Sequence, residues 1–323
     1  MNRKIFNRYN GFKLSILPTP LHKLDNISGM FNANVYCKRD DLTGFAFGGN
    51  KTRKLEFLIA DAKSKNADTL IGIGGIQSNF CRIASAAGAV YGMEVHLVLG
   101  GSKKPAKPTA NLLLDNLFGA RIHFVESENW GDWEKYADDL SGKLSKRGRK
   151  VYPMPIGGSS PVGALGYVKA FDEIMRDSRR MKIKFDYIFH ASASAGTQSG
   201  LIVGTKLNNW KGKIVGFDVS KEKNLLEKEI YNLYAETANN FDVEVNEMDI
   251  IVDDGFMGKK YAAVTKQGME AVNIFAEKEG IMLDYVYSGK AAAGLIDYLR
   301  KRKFKKNDNL LFLHTGGNIH LFK

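Results

Sequence analysis

The most constraining feature of this sequence is a regular alternation of short apolar segments with helical patterns, which begins near residue 66. The apolar segments are rich in β-branched residues and bounded by turn residues, which is typical of buried strands. In the first series the predicted strands are 69–73, 95–99, 122–125 and 151–152, and the predicted helices are 78–91, 110–118 and 130–144. Strands that alternate with helices form parallel sheets. The pattern therefore predicts an α/β fold with parallel-rich sheets and helices on both faces.

A second series of the same kind follows a turn-rich connection at 153–161. Its predicted strands are 187–190, 214–217 and 310–313, and its predicted helices are 164–175, 197–207, 266–277 and 291–300. Two series separated by a turn-rich segment predict two lobes with a cleft between them. Such a cleft is a common position for a small-molecule site.

Composition excludes several classes of protein. Hydrophobic residues are 44% and charged residues 25% of the chain, which is ordinary globular usage. The two cysteines, Cys37 and Cys81, are too few for a disulfide scaffold or a cysteine-rich zinc site. No apolar run approaches the roughly 18 residues that a membrane span needs, and the first residues lack the apolar core of a signal peptide. We therefore expect a cytoplasmic protein with no membrane partner.

The formal charge of +12 is the one unusual number, and it raises the question of an acidic partner. Basic residues cluster at 146–150 and 300–306. The second cluster follows a predicted helix, where cations offset the helix dipole. Because no helix-turn-helix, zinc-finger or aromatic RNA-binding motif accompanies the charge, we predict no nucleic-acid partner. A non-catalytic polyanion-binding protein stays open as a distant alternative.

Four glycine-containing loops are candidate ligand sites. The loop at 48–52 lacks the Gly-Lys pair of a P-loop, and the loop at 72–77 has glutamine where a dinucleotide fingerprint needs glycine. The loop at 191–198 joins a strand to a helix, where hydroxyls and free N–H groups suit a phosphate. The loop at 314–318 places a hydroxyl at the end of the last predicted strand. The six histidines show no helical i, i+4 pair, so no metal site is predicted.

Seven motifs in a fixed order narrow the function further. They lie at 38–43, 48–51, 53–57, 77–79, 196–201, 284–290 and 314–317. Together they resemble the pyridoxal-phosphate enzymes that include D-cysteine desulfhydrase and 1-aminocyclopropane-1-carboxylate (ACC) deaminase. The resemblance covers nearly the whole chain. It implies the two-lobed tryptophan-synthase-β-like fold (fold type II), a homodimer, and a small lobe at 54–163 inserted into a large lobe made of 1–53 and 164–323.

The same resemblance implies a role for each matching residue. Lys51 would form the Schiff base to pyridoxal 5′-phosphate and act as base at the substrate Cα, and Tyr261 and Tyr287 would bond the substrate or move a proton. Ser78 would hold the carboxylate of a small amino-acid substrate at a helix start. The remaining substrate contacts would be Gln77 and Asn79. The cofactor contacts would be Asn50, Asn79, Ser194, Ala195, Gly196, Thr197, Ser288 and Thr315.

Two positions indicate the branch of the family. The ACC-deaminase branch typically has glutamate after the equivalent of Tyr287 and leucine at the equivalent of Thr315, whereas this chain has Ser288 and Thr315. A hydroxyl beside the ring nitrogen leaves it less fully protonated than a carboxylate would, and this suffices when the leaving group is a thiolate. We therefore predict α,β-elimination from D-cysteine to pyruvate, sulfide and ammonia. The alternatives are ACC deamination to 2-oxobutyrate and ammonia, and elimination from another β-substituted amino acid.

Overall fold

A computed structural model describes Phe6 and residues 12–322. Its strands are β1 Leu21–Lys23, β2 Asn34–Arg39, β3 Thr69–Gly75, β4 Glu94–Gly101, β5 Arg121–Glu126, β6 Val151–Pro153, β7 Tyr187–Ser192, β8 Lys213–Asp218, β9 Ile251–Asp253 and β10 Asn309–His314. Its α-helices are α1 Asp25–Phe31, α2 Asn50–Ser64, α3 Asn79–Tyr91, α4 Ala110–Leu117, α5 Trp130–Lys146, α6 Pro161–Met181, α7 Gly196–Leu207, α8 Lys223–Ala238, α9 Lys266–Glu279 and α10 Ser288–Arg300. They alternate as the sequence predicts, which confirms the α/β class.

The larger sheet has six strands in the order β1-β2-β10-β7-β8-β9. Only its first pair, β1 with β2, is antiparallel, and every other neighbouring pair is parallel. Helices cover both faces, because neighbouring residues of β7 enter different cores. Ile188 packs with α6, α7 and α8, whereas Phe189 packs with α9 and α10.

The smaller sheet has four parallel strands in the order β5-β4-β3-β6. Leu70 packs with α2 and α3 on one face, and Ile71 packs with α5 on the other. All four strands lie within residues 69–153, whereas the strands of the larger sheet lie within 21–39 and 187–314. This division has the order that an inserted lobe requires. The boundaries at 54 and 163 stay a prediction.

Helix α2 joins the two lobes, and the sequence pattern did not predict it. All of its residues from 52 to 62 are buried, including several charged ones, so this stretch shows no polar face. Arg53 donates to both carboxylate oxygens of Asp40, at 2.8 and 2.7 Å, and to Glu173 of α6. Because these partners satisfy the buried charge, α2 can lie between α6 and the small lobe. Helical periodicity is hidden where both faces of a helix are covered.

Several other elements also differ from the prediction. The sequence pattern did not predict the strands β1, β2 and β9 or the helices α1 and α8, and α6 extends beyond the predicted 164–175.

No helix in the described part of the chain is long and apolar enough to cross a membrane. In the second basic cluster, Arg300 ends α10 and pairs with Glu270, and Lys301 pairs with Asp297. Two cations of this cluster are thus paired within the chain.

Candidate active site

A cavity lies between the two lobes. Its walls come from the start of α2, the start of α3, the β7–α7 loop, and the loops before α9 and after β10. It brings together ten of the predicted site residues: Asn50, Lys51, Ser78, Asn79, Ser194, Ala195, Thr197, Tyr261, Tyr287 and Thr315. Residues spread over the whole sequence therefore meet in one place.

Lys51 lies in the first turn of α2, and two glycine loops hold that turn in place. The backbone N–H of Asn50 donates to the carbonyl of Thr315 at 2.9 Å. A Cβ on Gly316 would lie 2.7 Å from the Cα of Gly49, and both glycines have positive φ. Only glycine permits this close approach and backbone conformation together. Burial lowers the pKa of Lys51 to about 8, so the amine is partly neutral near physiological pH.

Lys54 is a second buried amine beside Lys51, one turn further along α2. Its Nζ donates to the carbonyl of Gly157 at 3.2 Å and to the hydroxyl of Ser159 at 3.4 Å. Burial and the neighbouring amine of Lys51 hold its pKa well below the usual range. Among residues 12–322, neither lysine forms an ion pair with a carboxylate. This pair of amines suits an anionic ligand.

The β7–α7 loop lies against Lys54. A Cβ on Gly196 would be 2.7 Å from Lys54 Nζ and 2.9 Å from Ser159 Oγ, so the glycine leaves room beside both donors. The hydroxyl of Ser159 donates to Ser194 at 2.9 Å, and Asn50 Nδ2 donates to Thr197 at 3.1 Å. The first N–H groups of a helix have no partner within it and favour anions. The loop, the helix start and Lys54 together fit a phosphate group.

The start of α3 forms the opposite wall. The hydroxyl of Ser78 accepts from the N–H of Cys81 at 3.2 Å and caps the helix. Asn79 Oδ1 accepts from Arg82 and Asn111 at 2.9 and 3.0 Å, which fixes the orientation of its amide. Gln77 lies outside the cavity wall, because its amide bonds to the backbone of Thr109 and Asn111. Ser78 and Asn79 thus face the cavity, whereas Gln77 supports the loop beside it.

Two tyrosine hydroxyls contact each other in the cavity wall. Tyr261 and Tyr287 are hydrogen-bonded to one another, with rings edge to face at 6.1 Å. Burial raises the pKa of Tyr261 to about 12 and the pKa of Tyr287 well above its usual range. Both hydroxyls are therefore protonated at neutral pH. They can donate a proton or a hydrogen bond, but they do not act as preformed bases.

Asp284 holds the backbone of Tyr287 in place and also engages the hydroxyl of Ser288. Its carboxylate accepts from the backbone N–H groups of Val286, Tyr287 and Ser288, at 2.8 to 2.9 Å. The Ser288 hydroxyl donates to Asp284 at 2.6 Å and accepts from its N–H at 2.9 Å. Ser288 is accordingly not part of the cavity wall, whereas Thr315 is. No aspartate or glutamate is among the residues that line the cavity in the described part of the chain.

Sequence reasoning missed three contributors to this site. Lys54 could have been found from its spacing of three residues after Lys51, had α2 been predicted, because that spacing places both on one helix face. Asp284 was noticed only as part of a motif. Trp130, at the start of α5, lines the cavity, and nothing in its local sequence indicates this.

A lysine at the junction of two α/β lobes, beside a loop and helix start that fit a phosphate group, suits an enzyme that carries an aldehyde cofactor on an amine. Residues 12–316 match the family model described as "Pyridoxal-phosphate dependent enzyme". The chain belongs to this family, and its cofactor is pyridoxal phosphate. The predicted resemblance and cofactor are thereby confirmed.

Individual relatives agree with this assignment. The chain is 39% identical to the bifunctional D-cysteine desulfhydrase/ACC deaminase of Arabidopsis thaliana, over 96% of this chain and 79% of the plant protein. It is 37% identical to D-cysteine desulfhydrase of Serratia proteamaculans, over 94% of this chain and 92% of that protein. A solved structure described as an ACC deaminase homologue superimposes with a TM-score of 0.91 at 37% identity, covering 100% of this chain and 97% of the other. The predicted fold type is confirmed.

Proposed function

We propose that this protein catalyses α,β-elimination from D-cysteine: the sulfur leaves as hydrogen sulfide, and water hydrolyses the released enamine to pyruvate and ammonia. The observation that carries the choice of substrate is the absence of any carboxylate among the described residues of the cavity wall. Thr315 is among the lining residues instead, and the carboxylate of Asp284 is used by the backbone and Ser288. A hydroxyl activates the cofactor ring less than a carboxylic acid would. Loss of a thiolate tolerates this, whereas opening a cyclopropane ring requires stronger activation.

We assign a task to the residues of the cavity that would contact the cofactor and the substrate. Lys51 holds the cofactor and takes the Cα proton. The Ser78 hydroxyl and the N–H groups at the start of α3 bind the substrate carboxylate, and Asn79 bonds the 3′ oxygen of the ring. Bound pyridoxal phosphate supplies the electron sink for the charge that develops at Cα.

The tyrosine pair has a proposed task at the leaving group. Because Tyr261 and Tyr287 stay protonated at neutral pH, we assign them to proton donation and to hydrogen bonds with the substrate. A protonated sulfur leaves as hydrogen sulfide. A donor of this kind contributes on the order of 10²- to 10⁴-fold to such a step.

Lys54 and the β7–α7 loop are proposed to bind the cofactor phosphate. The supporting observations are the positions of Lys54, Ser194 and Thr197 around Gly196. Ala195 contributes its backbone, which has a φ of +62° in a region that favours glycine. Such a conformation is held by its surroundings and is common at ligand sites.

ACC deamination is the second candidate, because the Arabidopsis relative and the solved homologue carry that name. A substrate panel distinguishes the two. We expect pyruvate from D-cysteine and β-chloro-D-alanine and little 2-oxobutyrate from ACC. Turnover of ACC without pyruvate from D-cysteine would overturn the proposal, and the panel also includes L-cysteine and D-serine.

The role of Lys51 is tested by Lys51→Ala. We expect elimination to fall to background and the visible absorption of the holoenzyme to disappear, with an unchanged circular dichroism spectrum. Lys259→Ala is the matched control, because Lys259 is exposed and does not line the cavity. Retained activity in Lys51→Ala contradicts the assigned role.

The homodimer and the cytoplasmic location are also proposals. A second copy of the chain would cover Ile16 and Phe47, which are 70% and 65% exposed. These residues lie on neighbouring segments, because Ile16 N donates to Thr43 O at 2.9 Å. Light scattering should give twice the chain mass of 35.9 kDa, and Phe47→Asp should reduce it. A monomeric wild-type protein rules the dimer out, and cell fractionation tests the location.

A further inference from the structure

Trp130 lies where three cavities meet. It lines the catalytic cavity and a second cavity, which shares Gly75, Trp133 and Tyr261 with the first. Exposed residues, among them Lys103, line this second cavity, so it reaches solvent. A third cavity, on the side of Lys221, also includes Trp130. Trp130 therefore contributes to the walls of all three cavities.

Residues of the large lobe hold the indole in this position. Lys221 Nζ lies 4.4 Å from the centre of the Trp130 ring, which is a cation–π contact. The ring of Tyr261 meets Trp130 edge on, at 5.9 Å and 86°. Lys221 follows β8 and Tyr261 follows β9, whereas Trp130 begins α5 of the small lobe. Both contacts therefore join the lobes across the mouth of the site.

An ion pair beside these rings also joins the lobes. Lys260 Nζ lies 3.1 Å from Glu128 Oε1, and the two side chains are 68% and 61% exposed. Exposed pairs of this kind change an equilibrium by only about two- to fivefold. The Glu128–Lys260 ion pair is thus strong enough to favour the arrangement in which the lobes are in contact, and weak enough to break often. A gate requires this balance, because substrate must enter and product must leave.

We propose that the Glu128–Lys260 pair and the Lys221–Trp130 contact form a gate over the active site. When the gate opens, Trp130 and Tyr261 separate and the catalytic cavity joins the outer one. When it closes, Tyr261 returns to the cavity wall beside Tyr287. The inference rests on the proposed function, since the gate matters only if substrate reaches Lys51.

The test measures access to the holoenzyme without any substrate. Sodium borohydride bleaches the visible absorption of cofactor bound through a lysine, so its rate reports access to Lys51. We expect bleaching about two- to fivefold faster in both Glu128→Gln and Lys260→Gln. The two changes shift the local charge in opposite directions, so mere attraction of the borohydride anion would move the two rates in opposite directions. Lys259→Gln is the control, because it removes a neighbouring cation outside the pair.

Three further measurements complete the test. The double variant Glu128→Gln/Lys260→Gln should bleach no faster than either single variant, because each breaks the same pair. The exchanged pair, Glu128→Lys with Lys260→Glu, should return the rate to that of the wild type. Acrylamide, a neutral quencher, should quench tryptophan fluorescence more strongly in the single variants.

Unchanged or opposite bleaching rates in the two single variants would overturn the gate. This result is separate from the assignment of substrate. If D-cysteine gives no pyruvate while both single variants bleach faster, the gate stands and the proposed substrate is wrong. If D-cysteine is a substrate and the rates do not change, the gate is wrong and the proposed function stands.

Discussion

The reactivity of Lys51 in the cofactor-free protein follows directly from its burial. Its pKa of about 8 lies 2.5 units below the usual 10.5. A free lysine is about 0.1% neutral near pH 7.5, whereas a group with a pKa of 8 is about 24% neutral. The neutral fraction therefore rises by a factor of about 200. Only the neutral amine is nucleophilic, so Lys51 should react far below the pH at which a free lysine does.

Competitive labelling measures this reactivity. After the cofactor is removed with hydroxylamine, trace acetic anhydride is added at a series of pH values, and mass spectrometry follows the acetylation of each lysine. Labelling of Lys51 should reach half its maximum near pH 8. Lys259 and Lys104, which are both exposed, serve as internal references for the labelling yield in the same sample. A midpoint for Lys51 above pH 10 would refute the claim that burial destabilises the charged form of this lysine.

Two further outcomes are expected. Lys54→Met should weaken cofactor binding by about ten- to a hundredfold in a spectroscopic titration, because a charged phosphate contact is lost, and unchanged affinity would exclude Lys54 from the phosphate site. His190 is fully buried, and burial lowers its pKa to about 4. The unfolded chain therefore binds a proton between pH 6.5 and 4 that the folded chain does not, and stability falls as pH falls. Urea unfolding should show that, over this pH range, the free energy of unfolding falls by about 3 kcal/mol less in His190→Asn than in the wild type. Equal decreases would contradict the role of burial.

Helix α2 shows why part of the fold was hidden in the sequence. Sequence patterns report which residues prefer to be buried, and α2 buries Arg53, Lys54 and Glu56 as well as its apolar residues. Their partners, Asp40 and Glu173 among them, come from distant segments. The small-lobe strands were predictable because each centres on a short, mostly apolar run. A segment whose buried charges find partners elsewhere carries no such local signal.

The active site likewise has features that the local sequence predicts and features that it does not. Ser78 at a helix start and the hydroxyls of 191–198 after a strand were recognisable locally, because helix starts and strand ends present free backbone groups. The motif order added Lys51, Tyr261 and Tyr287 by resemblance. It could not reveal that Ser288 turns its hydroxyl to Asp284 while Thr315 faces the cavity. Which of the two residues lines the cavity depends on which groups donate hydrogen bonds to the Asp284 carboxylate.

The sequence by itself therefore determined the α/β class, the two series of strands, the loop suited to phosphate and, through its motifs, the family. These follow from periodicity and turn chemistry, which act over a few residues. Only the tertiary structure decided that Lys54 joins Lys51, that no described carboxylate lines the cavity, and that Trp130 meets Lys221 and Tyr261 across the lobes. These features depend on distances between residues far apart in the chain, which packing alone sets.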